Sequence, residues 1–214
     1  ADYEHGVRFA APVADYLTVN ISSPNTPGLR ALQSKDVLAE LLGRSLAARG
    51  GRLVPLFVKV APDLTDADIA DIAEVALASG VDGLICGNTT ISRPETLRAA
   101  AREEQGGLSG APLKPLALET LRAFRQTTGG RLPLIGVGGI ASADDVYERI
   151  RAGASLVQLY TALVYAGPGL PRRLAKGLAA HLRADGFASL GQAVGADLPP
   201  RRAGEVAQLG REAR

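Results

Sequence analysis

Apolar residues in this chain fall into five short runs, at 16–21, 56–60, 83–86, 134–137 and 156–160. Their side chains are apolar on both alternating faces, which predicts strands of a buried parallel sheet. Between the runs the period changes to that of a helix. Ser34 can cap a helix whose apolar stripe is Val37, Leu38, Leu41, Leu42 and Leu46, and Gly50-Gly51 ends it. Thr65 and Asp68 read as a capping box ahead of Ile69, Ile72, Ala76 and Leu77, with Gly80 as the stop. Ser142 opens another helix through Val146 and Ile150 to Gly153, and Leu170, Leu174, Leu178 and Leu182 line a last one ending at Gly186.

Strand, loop and helix in alternation mean a parallel sheet with crossovers, either open and doubly wound or closed as a TIM barrel. Polar or glycine-rich segments follow every strand: "SSPNTPG", "KVAPD", "CGNTT", "GVGGI" and "YTAL". An open sheet gathers ligand groups at one switch point, whereas a barrel collects all its strand exits into one mouth. The fold expected is therefore an α/β TIM (β/α)8 barrel of which this chain holds about the last five strand-helix units. The first three strands are expected to precede Ala1, in line with a chain of 214 residues that begins with alanine and contains no methionine. Residues 1–194 are expected to belong to the barrel domain. Residues 195–214, with Pro199-Pro200, several arginines and little periodicity, read as a polar, partly disordered tail.

Composition narrows the function classes. With 24 basic against 22 acidic residues, a net charge of +2 and 46% hydrophobic residues, the chain is an ordinary globular sequence. Its basic residues are spread over helical faces, so a pI near 8.9 is no footprint of nucleic-acid binding, and small-molecule substrates are expected instead. Cys86 is alone, which excludes an internal disulfide, and His5 and His181 lack metal-ligand spacing. No apolar run approaches the ~18 residues of a membrane span, and there is no signal-peptide pattern. A reducing compartment is expected.

Candidate chemistry sits at the strand exits. Gly138-Gly139 after one strand and Tyr160-Thr161 after the next are the kind of adjacent exits that bind phosphate in TIM barrels, and that reading is favoured over glycines that merely make tight turns or close helix-sheet packing. Lys59 interrupts an apolar strand and so needs an anion at the mouth, supplied either by a ligand or by a neighbouring carboxylate such as Asp63. Asn20, Asn25 and Asn88 offer paired donors and acceptors that suit a flat ligand, or act singly as caps and turns. "GGLSG" (106–110) reads as a lid, a hinge or a simple connection. Ser22 and Ser23 have no histidine nearby and no G-x-S-x-G elbow, which argues against a hydrolase triad. Thr26 could join a hydroxyl relay, yet chemistry alone leaves both serines with turn or cap roles.

Taken together, "NISSPNTPGLR", "VKVAPDL", "NTTISR", "GGLSG", "LPLIGVGGI" and "GASLVQLYTAL" resemble the class 2, quinone-dependent dihydroorotate dehydrogenases in order and spacing, over residues from about Asp15 to about Val194. The resemblance implies an FMN enzyme of pyrimidine synthesis that oxidises dihydroorotate to orotate and passes electrons to a quinone. It implies that Ser23 is the base removing a ring proton; class 1 members have a cysteine there, and Cys86 lies on another strand. Asn20 would touch both FMN and substrate. Asn25, Asn88 and Thr89 would bind the pyrimidine edge, and Lys59 would face the flavin ring. Gly87 stands where the family often has threonine, so a side-chain contact to FMN is lost there, though a backbone contact could survive. Gly110, Gly139, Tyr160 and Thr161 would hold FMN, the last three around its phosphate. The implied location is cytoplasmic, peripheral to the inner membrane through sequence before Ala1. A non-redox phosphate-binding barrel (isomerase or synthase), or an inactive fragment of the flavoenzyme, are the alternative readings, and the chain alone is expected to bind FMN weakly or not at all unless the missing part is supplied.

Overall fold

The computed structural model describes residues 2–198. Five parallel strands pair in sequence order: β1 (Leu17–Asn20), β2 (Leu56–Val60), β3 (Gly83–Cys86), β4 (Leu134–Val137) and β5 (Leu156–Gln158). A doubly wound sheet needs a point where strand order reverses; here it never does, and the sheet is a five-strand arc of a β/α barrel. The helices are α1 (Asp2–Ala10), α2 (Lys35–Arg49), α3 (Asp66–Ser79), α4 (Lys114–Thr128), α5 (Ala143–Arg151), α6 (Thr161–Ala166), α7 (Leu170–Ala184) and α8 (Leu190–Ala193). Successive helices pack side by side, α1 on α2, α2 on α3 and α3 on α4, while α5 packs on α7.

The expectation that every strand is apolar and buried on both faces holds only in the middle of the arc. All of β3 is buried, whereas β1 buries Leu17 and Val19 and exposes Thr18 and Asn20. In β2, Leu56, Val58 and Val60 are buried and Phe57 and Lys59 are half-buried on the other face. The flanking strands have one paired neighbour each, so their ladders are shorter than the apolar runs. Tyr16 falls outside β1 with its ring edge-on to Phe57, and β5 stops at Gln158, short of Tyr160.

Local signals explain the helix boundaries. Both capping boxes form, Thr65 with Asp68 and Ser142 with Asp145, and Gly80 ends α3 in the left-handed conformation. Asp145 does more than cap: although burial opposes ionisation, hydrogen bonds from Lys114 and from the Ala141 and Ser142 backbone pull its carboxyl down to about 2. Ser34 occupies the cap position of α2, but its hydroxyl turns back to donate to the Ala31 carbonyl at 3.1 Å, because a 3-10 turn (Leu29–Gln33) leads directly into the helix. The α2 stripe is narrower than its spacing suggests; Leu38 and Leu42 are buried and Val37 is exposed. Helices α1, α4, α6 and α8 lie where no helix was expected. After α8, Gly195 N and Asp197 N donate to the carbonyls of Ile150 and Arg151, so the chain stays attached to α5 past the expected boundary at 194. The rest of the expected tail, 199–214, lies outside the described residues.

Candidate active site

The C-terminal ends of the strands carry the polar residues. Parallel register sets Asn20 of β1 beside Lys59 of β2, with their side chains on one face of the sheet. Asn20 Oδ1 accepts from Ser22 N at 3.3 Å, Ser22 Oγ at 2.9 Å and Asn88 Nδ2 at 3.4 Å. Asn88 Nδ2 also donates to Ser22 Oγ at 2.8 Å, and its Oδ1 accepts from Thr89 N. The Ser22 hydroxyl is therefore fully buried with its proton committed to Asn20. The neighbouring Ser23 is only half-buried, and its Oγ accepts one bond, from Asn25 N at 3.3 Å, in a serine turn.

A cavity of about 570 Å³ opens beside this network, and seven of the expected residues line it: Lys59, Asn88, Thr89, Gly110, Gly139, Tyr160 and Thr161. Asn20, Ser23, Asn25 and Gly87 are not on its wall. Asn20 reaches it through Asn88; Ser23 sits one residue beyond Ser22, which also bonds Asn88. Asn25 is exposed, with its Oδ1 near Gly106. Gly87 is buried at φ 120°, where an added Cβ would come within 2.7 Å of the Val137 carbonyl oxygen. A side chain has no room there.

Lys59 is half-buried, and burial lowers its pKa. Asp63, its candidate carboxylate partner, is taken instead by Arg30, whose Nη1 donates to Asp63 Oδ2 at 2.9 Å. Among the described residues no hydrogen bond or ion pair reaches the Lys59 ammonium. A half-buried cation facing a cavity without an anion is costly unless something negative enters.

On the opposite wall Gly138 and Gly139 take φ of 114° and 70°. A Cβ on Gly139 would lie 2.5 Å from Lys114 Cα, so close packing alone demands glycine there, and the same smallness leaves the loop backbone open to the cavity. Beneath it Arg149, fully buried, donates through Nη2 to the carbonyls of Gly138 (2.9 Å) and Lys114 (2.8 Å); burial draws its pKa down to about 10, so it stays charged at neutral pH. Thr161 Oγ1 donates to Ser109 Oγ at 3.0 Å, joining the β5 exit to the glycine-rich loop.

That loop is more than a connection. Thr90 and Leu108 pair as an antiparallel bridge, and the Arg93 guanidinium donates to the carbonyls of Arg102, Glu104 and Gly106. Gly107 lies so close to Thr89 Oγ1 and Pro24 that a Cβ would overlap them. Cys86 is buried in β3 and burial raises its thiol pKa, which leaves it inert. Arg30, Arg149 and Ser109 were not singled out by the sequence pattern, in which each is one more polar residue in a loop or on a helix.

The chain is similar to known proteins over most of its length. The family model described as "Dihydroorotate dehydrogenase" matches residues 1–182. A "Dihydroorotate dehydrogenase (quinone)" from Parvibaculum lavamentivorans is 60% identical over 198 residues, covering 92% of this chain and 57% of the relative. One of the same name from Erythrobacter litoralis is 59% identical over 197 residues, with the same coverage. A crystal structure of DHODH from Eimeria tenella in complex with ferulenol superposes with a TM-score of 0.89 at 42% identity, over 93% of this chain and 58% of that one. The chain thus spans little more than half the length of the relatives it matches. No helix among the described residues is long and apolar enough to cross a membrane.

Proposed function

The chain belongs to the dihydroorotate dehydrogenase family, and from that premise we propose that it forms the base-bearing and phosphate-binding side of an enzyme that oxidises dihydroorotate to orotate in pyrimidine synthesis. The observation that carries the reading is the unpaired Lys59 at the wall of a cavity bounded by amides on one side and by the Gly139, Tyr160 and Thr161 backbone on the other. Those residues fit FMN. A cavity of about 570 Å³ is wide enough for much of a flavin, its glycine loop suits a phosphate, and Lys59 suits the electron-rich edge of an isoalloxazine ring. When bound, FMN supplies the hydride acceptor.

The chain's own residues do the rest. Ser23 takes the ring proton of dihydroorotate and passes its own hydroxyl proton outward to water beside the exposed Thr26. Ser22 is excluded from that role because its proton already serves Asn20 and its oxygen serves Asn88. Asn25, Asn88 and Thr89 hold the pyrimidine edge through uncharged amide and hydroxyl groups, and Asn20 lies between substrate and cofactor. Lys59 holds positive charge where negative charge gathers, and Gly87 and Gly110 offer backbone contacts. Electrons leave to a quinone, in keeping with the names of the relatives. On this reading residues 1–194 belong to the catalytic barrel, and contact with the cytoplasmic face of the inner membrane is made by sequence other than this chain. A non-redox phosphate enzyme would leave Lys59 and the Asn20–Ser22–Asn88 network without work.

The test is to purify the full-length protein that contains this chain and read both its visible spectrum and dihydroorotate-dependent dye reduction. A flavin spectrum near one per chain with dye reduction supports the proposal. A colourless protein, or a flavoprotein indifferent to dihydroorotate, refutes it.

A further inference from the structure

We propose that Arg30 and Asp63 form a positioning latch that sets the base-bearing loop after β1 against the substrate-binding loop after β3. The inference rests on the assignment of Ser23 as base. One guanidinium reaches three strand exits at once. Arg30 Nε donates to the Ser22 carbonyl at 3.1 Å, Nη2 to the Thr89 carbonyl at 3.1 Å, and Nη1 to Asp63 Oδ2, after β2, at 2.9 Å. Asp63 extends the tie: its carboxylate also accepts from the Thr90 and Ser92 hydroxyls and from Ile91 N. The pair is sheltered, with side-chain exposures of 23% and 11%, where a charge-assisted fork is directional and little screened. Gln33 reinforces it, donating to the Arg30 carbonyl and accepting from Ala61 N at 2.9 Å.

The bonded carbonyls matter by position. The Ser22 carbonyl belongs to the peptide that carries Ser23, and Thr89 O follows Asn88 and Thr89, the substrate amide and hydroxyl. The segment from Pro24 to Gly28 is mostly exposed, so the place of Ser23 is fixed from the two sides of that segment, by Ser22 and by Arg30. Displacing a reacting group by about 1 Å can cost roughly 10²-fold in rate.

A matched pair at the other end of the sheet separates positioning from plain stability. Arg49 Nη1 donates to Asp82 Oδ2 at 2.7 Å and to the Val54 carbonyl at 3.2 Å, and Asp82 accepts from Leu56 N, all at strand starts. In the full-length flavin-loaded protein, Arg30→Met should lower kcat for dihydroorotate about 10- to 100-fold, with a smaller rise in KM and with flavin content retained. Arg30→Lys should not rescue it, because an ammonium cannot point at three acceptors in a plane. Asp63→Asn should show a smaller loss, and the double variant should be no worse than Arg30→Met alone. Arg49→Met should lower thermal stability while leaving turnover per bound flavin unchanged. Turnover of Arg30→Met within twofold of wild type, loss of flavin from it, or an equal loss of turnover in Arg49→Met would each overturn the latch. If Arg30→Met fails to fold, Arg30→Lys and Asp63→Asn read the same quantity. Ser23→Ala belongs in the same assay: full turnover there sinks the base assignment, whereas an inactive Ser23→Ala beside an intact Arg30→Met sinks only the latch.

Discussion

At the N-terminal end of the sheet, Arg49 ties the last turn of α2 to Asp82 and to the start of β2. At the C-terminal end, Arg30 makes a pair of the same chemistry with Asp63, yet its other bonds run to loop carbonyls beside a cavity. The glycines differ in the same way. Gly83 opens β3 under the Pro133 carbonyl and against the Phe57 ring, a purely packing need. Gly87 closes the same strand at φ 120° beside a cavity wall. At one end the ion pair ties a helix end to strand starts, and at the other Lys59 faces a cavity with no hydrogen bond or ion pair to its ammonium among the described residues. Unsatisfied chemistry on a rigid frame marks the working end.

Substitutions at the two ends should therefore fail differently. Ser23→Ala in the full-length protein should cost turnover roughly 10²–10⁴-fold with flavin content and melting temperature unchanged, as steady-state kinetics and a thermal melt would report. Lys59→Met should cost roughly 10²-fold in turnover, but not stability. Because burial lowers the Lys59 pKa below its ordinary 10.5, the unfolded chain binds more protons between those two values, and stability rises with pH across that window. The variant should lose that alkaline rise and melt no earlier than wild type near neutrality; an earlier melt would mean that Lys59 has a structural anion. Arg49→Met should do the reverse, losing about 1–3 kcal/mol of stability by denaturant titration with turnover per flavin intact. Thr65→Ala, which removes one half of a capping box, should be smallest, at about 1 kcal/mol, with no kinetic effect.

Much of this contrast was legible in the residues. The runs at 56–60, 83–86 and 134–137 coincide with β2, β3 and β4, because central strands have neighbours on both sides to pair the whole apolar stretch. The runs at 16–21 and 156–160 overshoot β1 and β5, where only one neighbour is present to pair with. Helix α4 escaped because Pro112, Pro115 and the glycines before them read as loop, although Ala117, Leu118, Leu121 and Phe124 carry a helical stripe that is buried. At the site, Lys59, Asn88, Thr89 and Gly139 could be found because each sits directly after or within an apolar run. Arg30 and Asp63 could not be paired by any local pattern, being 33 residues apart, and Arg149 looked like one more charge on a helix yet is fully buried. Such roles come from parallel pairing that sets loops distant in sequence side by side, which no window of sequence contains.

The measurement that bears most directly on the rim is anaerobic mixing of full-length flavin-loaded protein with dihydroorotate, following the loss of flavin absorbance in wild type and in Ser23→Ala. The account predicts rapid bleaching in wild type and bleaching slowed roughly 10²-fold or more in the variant, with equal flavin at the start. Bleaching at the same rate in both would contradict it.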